Sequence, residues 1–526
     1  MSRVQTPSIA PSLHFLSSDF KAFPFAIEPA IILGMFEILT SAEMKKADLA
    51  AVESGTPALE LIRAAAAGLA QSIRNNMQPG RVLFLCGTGN NGADGFIAAE
   101  MLRAAGWDIR VACLVKPKEL KGDAAKSAKE FAGEIESLNS NLSVHSTDLI
   151  IDAVFGTGFA GALPPELVIL FDKIRSKKIP VIAADVPSGM NATTGEIAEG
   201  TLKPAMTVVF CRKKIAHVLQ PARSFCGRQH LVMVPIPDAD IAALGTQTFE
   251  NTPALWLNDF PFPKPEMHKY DRGHVVVYGG ADRTGAACLA AHAAQRSGAG
   301  VVSITAATVE TALIYKLYRA SLMVDSWQTA DDFKTLLRDE RKNVVVIGPG
   351  AGVAAKTKEA VLAVLDFNKT CVLDADALTV FKDDPATLFK KLSPHHILTP
   401  HAGEFDRLFG ELPGSKLARA RTAAKTANAI VILKGADTVI AAPDGTAVIN
   451  TNAPPILAIA GAGDVLAGLI SGFAAQGMSS FMASIAAVWL HAAAAKSHGA
   501  GLTAEDIIHH IPQTLKNLFS APHRDT

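Results

Sequence analysis

The chain contains no Cys-x-x-Cys pair. Its six cysteines, Cys86, Cys113, Cys211, Cys226, Cys288 and Cys371, are scattered, which argues against a thiolate zinc site or a disulfide framework and fits a reducing cytoplasm. No charge sign dominates: Lys+Arg and Asp+Glu are both 50. That balance leaves no electrostatic footprint for nucleic acid or an anionic membrane. Uninterrupted membrane-length apolar runs are also missing. "AIEPAIILGMFEILT" is short and broken by Glu28, Pro29 and Glu37, while the stretch from Val465 to Ala495 is interrupted by "AAQGMSS" and reads as two buried helices. There is no G-x-x-x-x-G-K-[ST] sequence, so the P-loop route to phosphoryl transfer is excluded. Residues 1–34 lack a basic run and a signal-peptide layout. They are expected to be a disordered extension or a start placed too early, because "MFEILTSAEM" at Met35 reads like a natural beginning.

What is present is length and a repeated pattern. The 526 residues, 49% hydrophobic and 19% charged, are enough for several domains at ~150 residues each. From Arg81 onward, short apolar runs alternate with helical patterns: "RVLFLC" then "DGFIAAEMLRAAG", "LIIDAVFG" then "PELVILFDKI", "PVIAAD", "TVVFC". Such alternation predicts parallel strands with crossover helices, a Rossmann-like three-layer α/β sandwich over 35–240. A Pro-rich stretch at 241–266 is the expected linker. The pattern then restarts at "GHVVVYGG" and runs through "NVVVIGPGAG", "CVLDADAL" and "AIVILKGADTVIAAPDG", which predicts a second α/β/α domain over 267–520.

In the first domain, "CGTGNNGADGF" puts Gly87, Gly89 and Gly92 in G-x-G-x-x-G spacing between a strand and a helix, where backbone N–H groups can face a pyrophosphate. The next strand ends in Lys116 and Lys118 rather than a ribose-binding carboxylate, which argues against an ordinary nicotinamide-binding Rossmann site. Asn90 and Asn91 tolerate left-handed backbone geometry and carry carboxamide oxygens. Two further strand ends supply Asp152, then Asp185 and Ser188. Oxygens of Asn91, Asp152 and Ser188 suit one hard cation; the structural alternative is that the aspartates only cap loops.

"GTGNNGADGF", "IIDAVFGTGF" and "AADVPSGMNATTG" resemble the signatures of NAD(P)H-hydrate epimerase over roughly Phe36 to Pro237. The resemblance implies that Asn90, Asn91, Gly92, Ala93 and Asp94, with the loop Gly156, Thr157, Gly158, Phe159, Ala160, Gly161 and Ala162, hold the damaged dinucleotide. It also implies that Asn91, Asp152 and Ser188 bind K+ and that Asp185 meets the reacting nicotinamide end as an acid/base. Ala93 replaces a usual glycine, and "LIRAAAAGLA" departs from the family's Met-Glu-x-Ala-Gly stretch.

In the second domain, Gly461, Ala462 and Gly463 precede a helix, so their amides can converge on an oxyanion, with Asp464 at the helix start. Helix capping with close packing at Gly468 and Gly472 is the structural alternative. Asp374, Asp376, Gly350, His401 and Glu404 fall on the same predicted sheet edge. "HKYDRGHVVVYGGA", "GPGAG", "LTPHAGEF", "LKGADT" and "GAGDVLAG" resemble NAD(P)H-hydrate dehydratase, a ribokinase-like family, from about Lys269 onward. By that resemblance Ala286, Gly350, His401 and Asp464 face the hydrated nicotinamide, and Lys434, Gly435, Ala436, Asp437, Thr438 and Gly463 hold the adenine nucleotide. Ile459, Ala460 and Ala462 stand where Thr, Gly and Ser or Thr are commoner.

The resemblances together imply a two-headed repair enzyme that epimerises NAD(P)H hydrates and dehydrates the S form. ADP is the expected phosphoryl donor, with ATP as the other candidate, and Mg2+ the expected companion in the second domain. The expected partners are these small molecules and further copies of the chain, with no nucleic acid and no membrane. The competing reading is a vitamin-precursor kinase whose first domain is a non-catalytic binding module.

Overall fold

A computed structural model describes residues 36–367 and 369–520; the leading segment 1–34, expected as an extension or a misplaced start, lies outside the described residues. The first sheet comprises β1 (Arg81–Cys86), β2 (Asp108–Cys113), β3 (Ile135–Ser137), β4 (Leu149–Ala153), β5 (Val181–Ala184), β6 (Met206–Phe210) and β7 (Arg228–Val232). All pairings are parallel, in the order β3-β2-β1-β4-β5-β6-β7. Strands such as "LIIDA" are buried along their whole length because helices cover both faces. Helices Ser41–Glu53, Ala58–Asn76, Asn90–Ala104 and Gly122–Glu130 pack on one face and Pro165–Ser176 on the other. The strand order reverses at β1, so the carboxyl ends of β1 and β4 open onto the crevice where such sheets bind ligands. β3 and β7 were not foreseen in the sequence; β3 has only three residues and neither is fully buried.

The second sheet contains β8 (Thr248–Glu250), β9 (His274–Tyr278), β10 (Val301–Ala306), β11 (Met323–Ser326), β12 (Lys342–Ile347), β13 (Thr370–Leu373), β14 (Ile397–Leu398), β15 (Ile430–Leu433), β16 (Val439–Ala441) and β17 (Ala447–Ile449). Their order is β11-β10-β9-β12-β13-β14-β15-β16-β17-β8. The "LKGADT" segment forms a hairpin turn, since β15 and β16 are antiparallel. The uncharged stretch forms helices Ala462–Ala475 and Ser480–His498, buried against Thr284–Arg296 and Ala504–Ser520. Among the described residues no helix is long and apolar enough to cross a membrane. Small residues serve packing here: a Cβ on Gly468 would come within 2.1 Å of the Ala290 carbonyl oxygen.

Residues 241–266, expected as a linker, contribute β8 to the edge of the second sheet and bury Phe249, Leu255 and Trp256 in its core. The aromatic side chains explain the difference, since a free tether would leave them in water. Near this edge residues 36–39 bridge both units. The Ile38 N–H donates to the Thr248 carbonyl and the Leu39 N–H to the Lys213 carbonyl, each at 2.9 Å. Glu37 and Arg212 form a buried ion pair at 3.0 Å.

Candidate active sites

The helix Asn90–Ala104 starts where the backbone must pass closest to its neighbours. A Cβ on Gly87 would lie 1.8 Å from the Val154 carbonyl oxygen, and one on Gly92 would lie 2.1 Å from that of Gly87. Gly89, by contrast, faces open space. Thr88 to Asn91 and Asp94 line a cavity of about 540 Å³ together with Val154 to Phe159, Asp48, Asp185, Cys211 and Lys214. Both asparagines lie within the right-handed helix rather than in left-handed geometry: Asn90 is exposed and Asn91 buried. Gly92 and Ala93 are buried in the helix's first turn. Ala160, Gly161 and Ala162 lie on the exposed outer limb of their loop, outside the set lining the cavity.

Asp185 follows β5 at φ 60°. Its Oδ1 accepts from Lys214 Nζ at 2.5 Å and from the Phe210 N–H at 3.1 Å. Lys214 Nζ also donates to the Phe210 carbonyl at 2.9 Å. His217 braces this pair: its Nδ1 accepts from the Lys214 N–H at 2.9 Å, so its Nε2 donates to the Asp185 carbonyl at 2.8 Å. Burial and then Lys214 push the His217 pKa down to about 4, so the ring stays neutral. Burial, opposed by Lys214 and reinforced by Asp185, pushes Asp48 up to about 6. Burial, Asp185 and Asp48 raise Asp94 well above the ordinary carboxylate range.

Asp152 and Ser188 are in direct contact. Ser188 Oγ donates to Asp152 Oδ1 at 2.5 Å and its N–H donates to Oδ2 at 2.8 Å, while the Phe155 N–H donates to Ser188 Oγ at 2.8 Å. Asn91 lies against Gly156 at the end of the same turn, and its Nδ2 is buried without a hydrogen-bond partner. Asp152 is fully buried, and no Lys, Arg or His among the described residues pairs with it. The buried Asp152 and Ser188 oxygens, with no cationic side chain paired to the carboxyl among the described residues, fit a hard monovalent cation.

In the second domain Gly461, at φ +84°, leads into the helix Ala462–Ala475 and points its first amides outward. A Cβ on Gly463 would lie 3.4 Å from Lys434 Nζ and 3.7 Å from Asp374 Oδ2. Lys434 Nζ donates to Asp374 Oδ1 at 2.8 Å. Burial pulls the Lys434 ammonium down, but Asp374, Glu404 and Asp464 outweigh it and the net shift is upward. Burial and Asp374, opposed by Lys434, push Asp464 up to about 6. Gly350 lies beside Ala286, whose Cβ is 3.2 Å from the position of a Cβ on Gly350.

His401 caps the helix Ala402–Phe409, its Nδ1 accepting from the Gly403 and Glu404 N–H groups. Its Nε2 lies 3.4 Å from Glu404 Oε1, and its side chain remains 55% exposed. Asp437 and Thr438, grouped with the nucleotide residues by resemblance, are buried. Asp437 accepts from Lys416 and from the Gln220 N–H, and Thr438 Oγ1 accepts from the Gly435 N–H. Within that segment Lys434 is partly buried, and Gly435 and Ala436 are exposed.

Sequence reasoning missed Lys214, Asp48 and His217. Lys214 had one visible signal, a Lys-Lys pair four residues beyond the end of β6. Asp48 had none, because an acidic residue within an amphipathic helix ordinarily faces water.

Residues 274–513 match the family described as NAD(P)H-hydrate dehydratase, and 58–216 match the YjeF-related protein N-terminus. The chain is 33% identical to a bifunctional NAD(P)H-hydrate repair enzyme of Moorella thermoacetica, covering 91% of this chain and 97% of the relative. The Escherichia coli enzyme of the same description is 33% identical over 78% of this chain and 80% of its own. An ADP/ATP-dependent NAD(P)H-hydrate dehydratase structure from Bacillus subtilis aligns with 28% identity over 49% of this chain and 94% of its own, at a TM-score of 0.42.

Proposed function

The chain belongs to the bifunctional NAD(P)H-hydrate repair enzymes, and from that premise we propose how its two sites divide the work. The first domain interconverts R and S hydrates in the cavity between Asn90 and Asp185. The second converts the S hydrate to NAD(P)H. The observation that carries the second assignment is Asp464, held beside Lys434 and Asp374 at the amide-lined mouth of a helix.

Hydroxide leaves poorly from the reduced ring. Asp464 takes the proton of the ring hydroxyl as its oxygen attacks the terminal phosphoryl group of ADP, releasing AMP. Phosphate then departs from carbon six, a proton leaves carbon five, and the dihydropyridine is restored. The amides at Ala462 and Gly463 stabilise charge developing on the transferring group. Lys434 neutralises phosphate oxygens. Mg2+ would be held through the nucleotide's phosphates with one or two of the carboxylates Asp374, Asp376 and Asp464, and would screen the phosphate charge.

K+ is assigned to Asn91, Asp152 and Ser188, where it would supply a fixed positive charge next to the dinucleotide cradle. A cytoplasmic setting is supported by cysteines that are all unpaired and buried. Self-association is supported by the helix Val309–Tyr318, which leaves Val309, Leu313 and Leu317 76%, 56% and 77% exposed.

The test is to incubate mixed NADH-hydrate epimers with the protein and ADP, then with ATP, following the restored dihydropyridine absorbance. Complete conversion requires both domains; conversion of the S fraction alone removes the epimerase assignment. A stable phosphorylated product would instead indicate a kinase.

A further inference from the structure

An epimerase must move a proton to and from the departing hydroxyl, and Asp185 is badly placed to do it. Its Oδ1 is held by an ammonium that is itself 1% exposed. Lys214 and the Phe210 N–H both hold that oxygen, so Asp185 is fixed in place as the partner of a buried ammonium.

Asp48 stands on the helix Ser41–Glu53, which enters over the same cavity. The helix is anchored at its start by the reciprocal Thr40–Glu43 cap and by the Ser41 N–H donating to Thr193 Oγ1 at 2.9 Å. The Asp48 carboxyl is partly buried and has no hydrogen-bond or ion-pair partner among the described residues. The groups facing it are Lys214, Asp185, Asp94 and Cys211, with Lys45 at the mouth on its own helix. Three carboxylates thus share one ammonium, so they cannot all stay ionised. Asp94 is 6% exposed, and burial together with Asp185 and Asp48 raises its carboxyl well above the ordinary range, which favours the protonated form. All three line the cavity, but Asp48 is the least buried of them and, unlike Asp185, is not held by the ammonium.

We propose that Asp48 is the general acid–base of the first domain, an inference that rests on the epimerase reading. Protonated Asp48 gives its proton to the hydroxyl on ring carbon six. The lone pair on the ring nitrogen forms the N=C bond as the C–O bond breaks, and water leaves. The resulting cation lies beside the Asp185 carboxylate, which Lys214 holds in place. Water adds to the opposite face of carbon six and releases its proton to solvent, from which Asp48 regains one. Nothing is oxidised or reduced, and enzyme and atoms are restored.

The experiment follows R-to-S conversion by chromatography, without nucleotide, in the full-length protein from pH 5 to 9. The wild-type rate should fall as pH rises past the Asp48 pKa of about 6. Asp48→Asn should slow conversion by about 10²–10⁴ and flatten that limb. Asp48→Glu should restore part of the rate together with the limb. Asp185→Asn should slow conversion while leaving the limb in place. ADP-dependent dehydration of the S hydrate reports that each variant is folded. An Asp48→Asn protein within about threefold of wild type, far short of the loss expected for a general acid, or one that keeps the limb, overturns the assignment. If Asp48→Asn fails to fold, an Asp48→Glu protein without the limb does the same. A wild-type protein that converts no R hydrate overturns the epimerase reading itself.

Discussion

The backbone N–H of Gln220 donates to Oδ2 of Asp437 at 2.8 Å, tying the loop beyond β6 to the β15–β16 hairpin of the second sheet. The other oxygen of Asp437 accepts from Lys416 Nζ at 2.6 Å. One buried carboxylate therefore fastens an ammonium and the neighbouring domain at once, and it does so inside the Lys434–Thr438 segment. Asp437→Ala should destabilise the protein by about 3 kcal/mol, because it leaves a largely buried lysine unpaired. It should also raise the KM for ADP. Denaturant titration and initial rates measure both; a loss below about 0.5 kcal/mol, the range of ordinary surface substitutions, would show that the tie carries no load.

Asp464 makes a prediction with a definite sign. Its folded pKa is about 6 against an ordinary 3.8, so between those values the folded state binds more protons than the unfolded one. Stability therefore falls as pH rises through that window. Asp464→Asn removes the penalty. It should stabilise the unliganded protein by about 1–3 kcal/mol at pH 7.5 and by about half as much at pH 5, while abolishing dehydration of the S hydrate. Thermal melts at the two pH values test this, and equal gains at both would contradict it.

The glycine and aspartate turns at β1, β4, β5 and the Ala462–Ala475 helix were legible in the sequence because each places a fixed residue type at a strand end. The alternation of apolar runs with helical patterns likewise announced both sheets, apart from short edge strands such as β3 and β8. What remained hidden depends on contacts distant in sequence. Lys214 meets Asp185 across 29 positions, Asp48 reaches the cavity from a helix that precedes the first strand, and Asp437 is claimed by a loop 217 positions away. The tolerance of Asn90 and Asn91 for left-handed geometry goes unused, because Gly89 enters extended at φ −105° and both asparagines open the right-handed helix.

Gly468 and Gly472 permit the helix Ala462–Ala475 to lie against Thr284–Arg296. At Gly468 a Cβ would meet the Ala290 carbonyl oxygen at 2.1 Å, whereas at Gly472 the nearest atom is Ser297 Oγ at 1.8 Å. A backbone oxygen cannot move aside, but a serine side chain can rotate, which leaves at Gly472 only the milder approach to the Ala294 carbonyl oxygen at 2.8 Å. Gly468→Ala should therefore cost about 1–3 kcal/mol and reduce dehydratase activity by shifting Asp464. Gly472→Ala should cost less, and pairing it with Ser297→Ala should recover part of the loss. Denaturant midpoints and dehydration rates for the three proteins decide the ranking.

The potassium assignment can be tested apart from activity. Asp152 is fully buried, satisfied only by hydrogen bonds from Ser188 and Val154, and burial raises its pKa. A cation at Asn91, Asp152 and Ser188 binds only the folded chain, so it adds stability according to RT ln(1 + [K+]/Kd), about 2.7 kcal/mol at a hundredfold excess over Kd. Replacing K+ with choline at constant ionic strength should lower the melting temperature and slow R-to-S conversion. Dehydration of the S hydrate should be unaffected while the protein remains folded. Asp152→Asn should make melting insensitive to K+, because the carboxylate that requires the cation is gone. Persistence of the same K+-dependent shift in that variant would place the ion elsewhere.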